Sequence, residues 1–357
     1  MKISNLKLTN FRNHSNFEID FENNSMLIIG QNGVGKTNIL ESIYFLSSGK
    51  SIIAKYDKEL INHNKQFAKV NAKVSTDDKD LELEISIIKR DKVSNYTLKK
   101  VKINKVVKSV QFLTGALTSV LFVPSDIEIF TNSPSERRKY VDTVISQSSI
   151  KYKKALNEFS KASKQLNKVY EQINEAGYGF DQLEFWESKV IETAKVIQEC
   201  REDFFNFVNS KINMHSKELN ENSDTNLEIK YLKKELNSKK LEEYRQKCIW
   251  AKTLLIGPHR DDFETFLNNF QINSYGSRGQ QRTALLAIKL CEIDFLTQKR
   301  SERPILLLDD IFSELDEDHK NKIIEIIDKQ QTIITSAESI ENLSYISQKM
   351  PYFTLKY

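Results

Sequence analysis

The run Gly30-Gln31-Asn32-Gly33-Val34-Gly35-Lys36-Thr37 satisfies the pattern G-x-x-x-x-G-K-[ST] in full. Glycines there let successive backbone N–H groups converge on a phosphate without Cβ clashes, and the N-terminus of a following helix favours the same negative charge. Gln31, Asn32 and Val34 lend their main chain to that cradle. Lys36 is spaced to reach β- and γ-phosphates, and the Thr37 hydroxyl to serve a Mg²⁺ ion. Such a site also needs a carboxylate at the end of an apolar strand, and Ile305-Leu306-Leu307-Leu308-Asp309-Asp310 supplies one. Asp309 is expected to hold the metal or its water shell, and Asp310 to polarise an attacking water. Together the two motifs imply ATP with Mg²⁺.

Phosphate chemistry of this kind requires a strand before the loop and a helix after it. The alternation of Ile3, Leu6 and Leu8, then of Phe17, Ile19 and Phe21, predicts strands, and Met26-Leu27-Ile28-Ile29 reads as a buried one. A helix is expected from Lys36 to about Leu46. Leu81, Leu83 and Ile85, then Tyr96, Leu98, Val101 and Ile103, continue the strand pattern with no helical break, so an antiparallel sheet is predicted over 67–103.

The middle of the chain changes period. Tyr152, Leu156, Phe159, Ala162, Leu166, Val169 and Ile173 recur at steps of three and four, as do Leu183, Trp186, Val190, Ala194, Ile197, Phe204, Val208 and Ile212. Asn174-Glu175-Ala176-Gly177-Tyr178-Gly179 breaks the two series, predicting an antiparallel pair of helices about 35–50 Å long. This is either a protruding arm or a helical subdomain packed on the core. Beyond Gly257 a helix is expected from Gln280 to about Leu296, a buried strand at 304–308, a helix from His319 to Lys329 and a strand at Thr332-Ile333-Ile334. The fold class is therefore α/β, one head with an antiparallel β subdomain, split by a helical insertion. The expected segments are 1–145 (phosphate loop and β subdomain), 146–250 (insertion) and 251–357 (return to the head).

Ten glycines and five prolines in 357 residues exclude collagen-like repeats and Gly/Ser or Pro-rich tracts. A net charge of +4 is too small to argue nucleic-acid binding alone. Cys200, Cys248 and Cys291 lie far apart, without metal or disulfide spacing, which suits a reducing compartment. No apolar run has signal-peptide or membrane-span length, so a cytoplasmic protein with no membrane partner is expected.

Further blocks resemble hallmarks of one family. Asp309-Asp-Ile-Phe-Ser-Glu-Leu-Asp316, Ser277-Arg-Gly-Gln-Gln-Arg-Thr283, Gly257-Pro-His-Arg-Asp-Asp262, Phe122-Val-Pro-Ser-Asp126 and Ser133-Pro-Ser-Glu-Arg-Arg138 are similar to blocks of the bacterial RecF recombination proteins. So are Asn10-Phe11-Arg12-Asn13 and Thr37-Asn38-Ile39-Leu40-Glu41-Ser42-Ile43-Tyr44. The resemblance spans the chain and implies an ABC-type, SMC/RecF-like ATPase head. It adds Arg12 and Asn38 to the nucleotide site. It also implies that Ser277, Gly279 and Gln280 bind the γ-phosphate held by a second subunit, with Ser313 and Asp316 crossing the same interface. Two protomers would then close around ATP as a homodimer.

By the same resemblance the protein would be a weak ATPase used as a DNA-binding switch, in the bacterial cytoplasm at the nucleoid. It would bind DNA at gaps and single-strand/double-strand junctions. With RecR and RecO it would load RecA, in repair, replication recovery and the SOS response. Two departures from the wider cassette pattern stand out. The signature reads Ser-Arg-Gly-Gln-Gln, and Ile333-Ile334-Thr335-Ser336 stands where a switch histidine is usual. Thr335 can hydrogen-bond a phosphate but cannot titrate near neutral pH, which implies slow hydrolysis.

Several blocks have local readings too. Ser277-Arg278-Gly279 also reads as a plain helix cap. Ser133-Pro134-Ser-Glu136 is a helix-start signature, and Arg137 and Arg138 either pair with acids or contact phosphate. The lysines at 99, 100, 102, 105, 108, 151, 153 and 154 form solvated faces or a DNA contact. His259 has no ligand partner at metal spacing and reads as an orienting residue. A chromosome-structural SMC-type ATPase and a transporter motor are the competing functions. The insertion is too short for a long coiled coil, and the missing histidine and split lobe argue against a motor.

Overall fold

Period-two alternation at the N-terminus builds a six-stranded antiparallel sheet. Its strands are β1 (Lys2–Phe11), β2 (His14–Asp20), β4 (Phe67–Ser75), β5 (Asp80–Lys89), β6 (Thr97–Ile103) and β7 (Val106–Lys108), in the order β2-β1-β4-β5-β6-β7. A second sheet is wholly parallel, as buried Val/Ile/Leu runs predict. It comprises β3 (Ser25–Ile29), β8 (Ser119–Phe122), β12 (Ile305–Asp309), β13 (Thr332–Ser336) and β14 (Tyr352–Thr354), in the order β14-β3-β13-β12-β8. The computed structural model describes residues 1–90, 97–219, 225–314, 317–338, 343 and 350–356, the side chains of 313, 314, 317 and 318 excepted.

Both sheets belong to one compact unit, Met1–Asp126 with Lys217–Ser223 and Leu285–Tyr357. Between them runs α1 (Lys36–Ser48), whose Ile39, Leu40, Ile43, Phe45 and Leu46 are fully buried. They join Leu6 and Leu8 of β1, Val70 and Val74 of β4, and Leu83 and Ile85 of β5 in one core. Each such side chain contributes about 1.5–3 kcal/mol by leaving water. Gly49 ends α1 in the left-handed conformation (φ 73°), its N–H closing on Phe45 O at 2.9 Å.

The second unit comprises Ile127–Ser216 and Asp224–Ala284. It holds α2 (Pro134–Ser148), α3 (Ile150–Ala176), most of α4 (Phe180–Leu219) and α5 (Ser238–Ala251). The short β9 (Leu227–Leu232), β10 (Asp262–Leu267) and β11 (Phe270–Gln271) form an antiparallel sheet, followed by α6 (Ile272–Tyr275). α3 packs along α2 and α5 with the predicted apolar stripe buried except at Leu156, which is half-buried. Gly177 caps it at φ 71°, where the sequence breaks. α4 is longer than expected, forty residues or about 60 Å, because its periodicity continues past Ile212 to Leu219. Two helices remain, α7 (Arg278–Arg300) and α8 (Glu317–Ile327), each within a few residues of its expected span. No described helix is long and apolar enough to cross a membrane.

Candidate nucleotide-binding site

Parallel registry brings the chemistry to one edge. Asp309 of β12 lies opposite Thr335 of β13, and Thr335 opposite Ile28 of β3, so the carboxyl ends of three adjacent strands open together. That edge is where open α/β sheets take ligands. From it the chain turns through Gly30–Gly35 into α1. Gln31, Asn32 and Gly33 are exposed at the lip, and Val34 is buried beneath.

The loop's glycines have separate reasons. Gly33 and Gly35 take φ of 84° and 107°, where a side chain is strained. A Cβ on Gly35 would stand 2.5 Å from Asn13 Oδ1 and 2.6 Å from His14 Nε2. One on Gly30 would stand 2.6 Å from Leu355 O, because the main chain after β14 runs against the loop.

Lys36 folds back over the loop, its Nζ donating to Gly30 O at 2.7 Å and Gln31 O at 3.0 Å. Burial pushes its pKa down, against the pull of Asp310 and Asp309. The Thr37 hydroxyl meets both oxygens of Asp309, at 3.0 and 2.9 Å. Thr335 is fully buried and donates its hydroxyl proton to Asp309 Oδ1 at 2.6 Å. The proton expected to face a phosphate is thus given to the carboxylate. Burial raises the Asp309 pKa, opposed by hydrogen bonds from Thr335 and Thr37 and by Lys36. Asp310 sits at φ 50°, its N–H on Thr335 O at 3.1 Å and its Oδ1 accepting from Ala337 N at 3.3 Å. A non-glycine residue held in that region marks stored strain, which clusters at functional sites.

A hydroxyl beside a buried carboxylate is a hard-oxygen donor set, the kind Mg²⁺ prefers.

Two further residues brace the loop and were missed from the sequence. Asn13 Nδ2 donates to Val34 O at 2.9 Å, and its Oδ1 accepts from Asn38 Nδ2 at 2.8 Å. His14 Nε2 lies 3.1 Å from Gly35 O. Asn13 closes the block Asn10–Asn13, where nothing in the sequence gives it a role, and His14, which opens β2, carries no sequence signal. Arg12, expected at the nucleotide, commits its guanidinium elsewhere. Nε and Nη2 donate to Glu41 at 2.7 and 2.8 Å, and Nη1 to Glu59 O at 3.2 Å.

Ser277, Gly279 and Gln280 belong to the second unit and form a reciprocal helix cap. Gln280 N donates to Ser277 Oγ at 3.3 Å and Ser277 N to Gln280 Oε1 at 2.8 Å. All three are exposed, and a Cβ on Gly279 would meet nothing closer than 3.9 Å. Ser313 lies in a 3-10 turn, Ile311–Glu314, and Asp316 falls outside the described residues.

The block Gly257–Asp262 acquires a role. Asp261, 1% exposed, accepts from Arg201 Nη1 at 2.9 Å, Gln198 Nε2 at 3.0 Å, Lys234 N at 2.7 Å and the Tyr231 hydroxyl. Asp262 holds Arg137 in a two-bond fork, 2.7 Å each, and Arg138 donates to Asp261 O at 2.7 Å. Arg137 thus pairs with an acid, and Arg138 bonds a main-chain carbonyl of the same block. His259 Nε2 lies 2.9 Å from Leu254 O, an orienting contact, and no metal-binding cluster occurs among the described residues. Lys99 and Lys102 pair with Asp57 at 3.0 Å and Glu84 at 2.8 Å, so that basic stretch is partly neutralised.

Residues 2–345 match the family described as the RecF/RecN/SMC N-terminal domain. A protein of Clostridioides difficile named DNA replication and repair protein RecF is 34% identical over all of this chain and 97% of its own length. One of the same name from Lachnoclostridium phytofermentans is 33% identical over 94% of this chain and 92% of its own. A solved structure of the recombination mediator protein RecF with ATP, in the RecFOR pathway, superposes with a TM-score of 0.85 at 32% identity. It covers 94% of this chain and 92% of that one. The Smc head of Pyrococcus furiosus, at 17% identity and a TM-score of 0.51, shares the fold over 96% of this chain and 91% of its own.

Proposed function

The chain belongs to the RecF family within the RecF/RecN/SMC N-terminal group, and from that premise we propose that it is an ATP-dependent, DNA-binding recombination mediator. The observation that carries the reading is the meeting of the phosphate loop, Thr37, Asp309 and Thr335 at one sheet edge.

In this reading the main chain of Gly30–Gly35 and the N-terminus of α1 hold the phosphates, and Lys36 exchanges two loop carbonyls for phosphate oxygens. Thr37 and Asp309 hold Mg²⁺. ATP, when bound, supplies the polyphosphate that bridges two protomers. The second protomer presents the exposed cap at Ser277–Gln280. Gly279 supports this, since glycine costs a helix about 1 kcal/mol against alanine and nothing within the chain crowds it. A phosphate approaching the bare main chain gives the glycine a purpose. By the resemblance alone, Ser313 and Asp316 belong to the loop that would cross the same junction.

Asp310 is the base that polarises water. Thr335 offers no titratable group, and its proton already serves Asp309, so hydrolysis is slow and resets the dimer. The closed dimer binds DNA at gaps and single-strand/double-strand junctions. With RecR and RecO it promotes RecA loading in repair, replication recovery and the SOS response, in the cytoplasm at the nucleoid. In this reading 1–145 and 251–357 supply the head and 146–250 the helical insertion, with 127–145 and 251–284 clustering in the second unit beside the insertion helices.

Filter binding of gapped duplex DNA tests the reading. Salt-sensitive retention that requires ATP, and is lost in Lys36→Met, supports it. Retention indifferent to nucleotide overturns the switch, and turnover of many ATP per second contradicts the clamp.

A further inference from the structure

The hairpin that places Asn13 over the phosphate loop carries an unfavourable residue at its turn. β1 and β2 pair at Phe11 and His14, so Arg12 and Asn13 are the whole of the connection. The first residue of such a two-residue turn takes a positive φ, which is why glycine or asparagine is usual there. Here it is Arg12, at φ 53°. A long side chain stays in the left-handed region only where its surroundings over-determine it.

Two elements supply that hold. At the 3-10 turn Asp57–Leu60, the Arg12 main-chain N–H donates to Leu60 O at 2.8 Å and Nη1 to Glu59 O at 3.2 Å. On α1, Glu41 takes Nε and Nη2 in a two-bond fork at 2.7 and 2.8 Å. A fork fixes the plane of the guanidinium as well as its distance. Glu41 is fully buried, and the Ser51 hydroxyl also donates to its Oε1. The same helix reaches the turn once more, one turn earlier. Asn38 Nδ2 donates to Asn13 Oδ1 at 2.8 Å. So α1, whose first residues are Lys36 and Thr37, grips both residues of the connection. Asn13 in turn donates to Val34 O at 2.9 Å and Gly33 O at 3.4 Å.

We propose that Glu41 and Arg12 are positioning residues for the phosphate loop, acting through Asn13. The fork holds Arg12 in its left-handed backbone, and that backbone aims the Asn13 amide at the loop carbonyls. An apolar pair of similar volume would serve packing as well as this buried ion pair does, so the charge is kept for the geometry it imposes. The inference rests on the reading of the loop as an ATP site. It gives Arg12 a part in nucleotide affinity without touching the nucleotide, in place of the direct contact that the resemblance implied.

A double-mutant cycle on the full-length protein tests it, with ATP binding in the presence of Mg²⁺ read by calorimetry. Glu41→Gln breaks the fork but keeps an acceptor for Arg12. Arg12→Lys breaks it but keeps the charge that Glu41 needs. Each should weaken ATP binding about threefold, within the roughly fivefold expected of Asn13→Ala. In an Asn13→Ala background the same two substitutions should cost less than about 1.5-fold, because the group they position is gone. Asp261→Asn serves as the control for general destabilisation, since none of its partners lies at the loop, and it should bind ATP as wild type does. Equal losses in both backgrounds would mean that Arg12 meets the nucleotide itself, and would overturn the proposal. Undiminished affinity in Glu41→Gln and Arg12→Lys would overturn it as well. A loss in Asp261→Asn as large as theirs would assign the effect to overall stability, with the same consequence. Wild type that binds no ATP would instead sink the underlying reading of the site.

Discussion

Replacing Asp261 by Asn keeps the side chain's size and removes its charge at the most connected point of the second unit. The carboxylate is buried and serves donors on α4, β9 and the segment leading to α5. Its principal partner, Arg201, is 4% exposed and also donates to Pro258 O at 2.7 Å. Unpairing a buried ion of this kind costs about 3–5 kcal/mol. Asp142 still faces Arg201 at 2.8 Å in the variant, so the lower end, about 3 kcal/mol, is expected. With a urea slope of about 2 kcal/mol per molar, the midpoint of unfolding falls by about 1.5 M. Tryptophan emission is the assay, because both tryptophans lie in this unit. Arg201→Met in the Asp261→Asn background removes the orphaned charge. The double variant should therefore recover about 2 kcal/mol relative to the sum of the two single losses. A loss below about 1 kcal/mol for Asp261→Asn, or strict additivity, would refute the account of this block as the unit's knot.

Gly35→Ala should destabilise the loop by about 1–2 kcal/mol from the left-handed backbone alone, and displacing Asn13 and His14 should weaken ATP binding at least tenfold or so, read by calorimetry. Asn13→Ala should weaken ATP binding by about 1 kcal/mol, roughly fivefold, with the unfolding midpoint nearly unchanged; an equal loss of both would make the residue merely structural. Burial holds His14 and His259 below the ordinary histidine range, so the unfolded chain binds more protons as pH falls through that range. Their contribution to stability is complete above the ordinary histidine pKa and is lost as pH drops toward the folded values; urea midpoints should fall on acidification, less steeply in His259→Gln.

The nucleotide half of the site was legible because its determinants are local. A phosphate loop is written in consecutive residues, and Asp309 announces itself at the end of an unbroken apolar strand. Three of the five parallel strands, β3, β12 and β13, were legible from the same apolar runs, whereas β8 and β14 were not. What escaped depends on contacts between distant segments. Asn13 and His14 act on Gly33–Gly35 only because β1 and β2 bring their connection over the loop. The guanidinium of Arg12 is claimed by Glu41, a pairing no spacing encodes. Asp261 and Arg201 are sixty residues apart, and Arg137 lies farther still from Asp262. The three-stranded sheet β9–β11 went unread because β9 and β10 pair across the intervening α5, and β11 holds only two residues. Gly115 likewise has a tertiary reason, since the Arg300 guanidinium occupies the space a Cβ would take.

The central claim is that ATP joins two copies through the phosphate loop of one and the Ser277–Gln280 cap of the other. Light scattering coupled to size exclusion, on wild type, Lys36→Met and Ser277→Arg, measures it directly. With ATP and Mg²⁺ the wild type should run at twice the 41.5 kDa monomer mass, and both variants as monomers. Wild type that stays monomeric in ATP, or a Ser277→Arg protein that dimerises as wild type does, would contradict it.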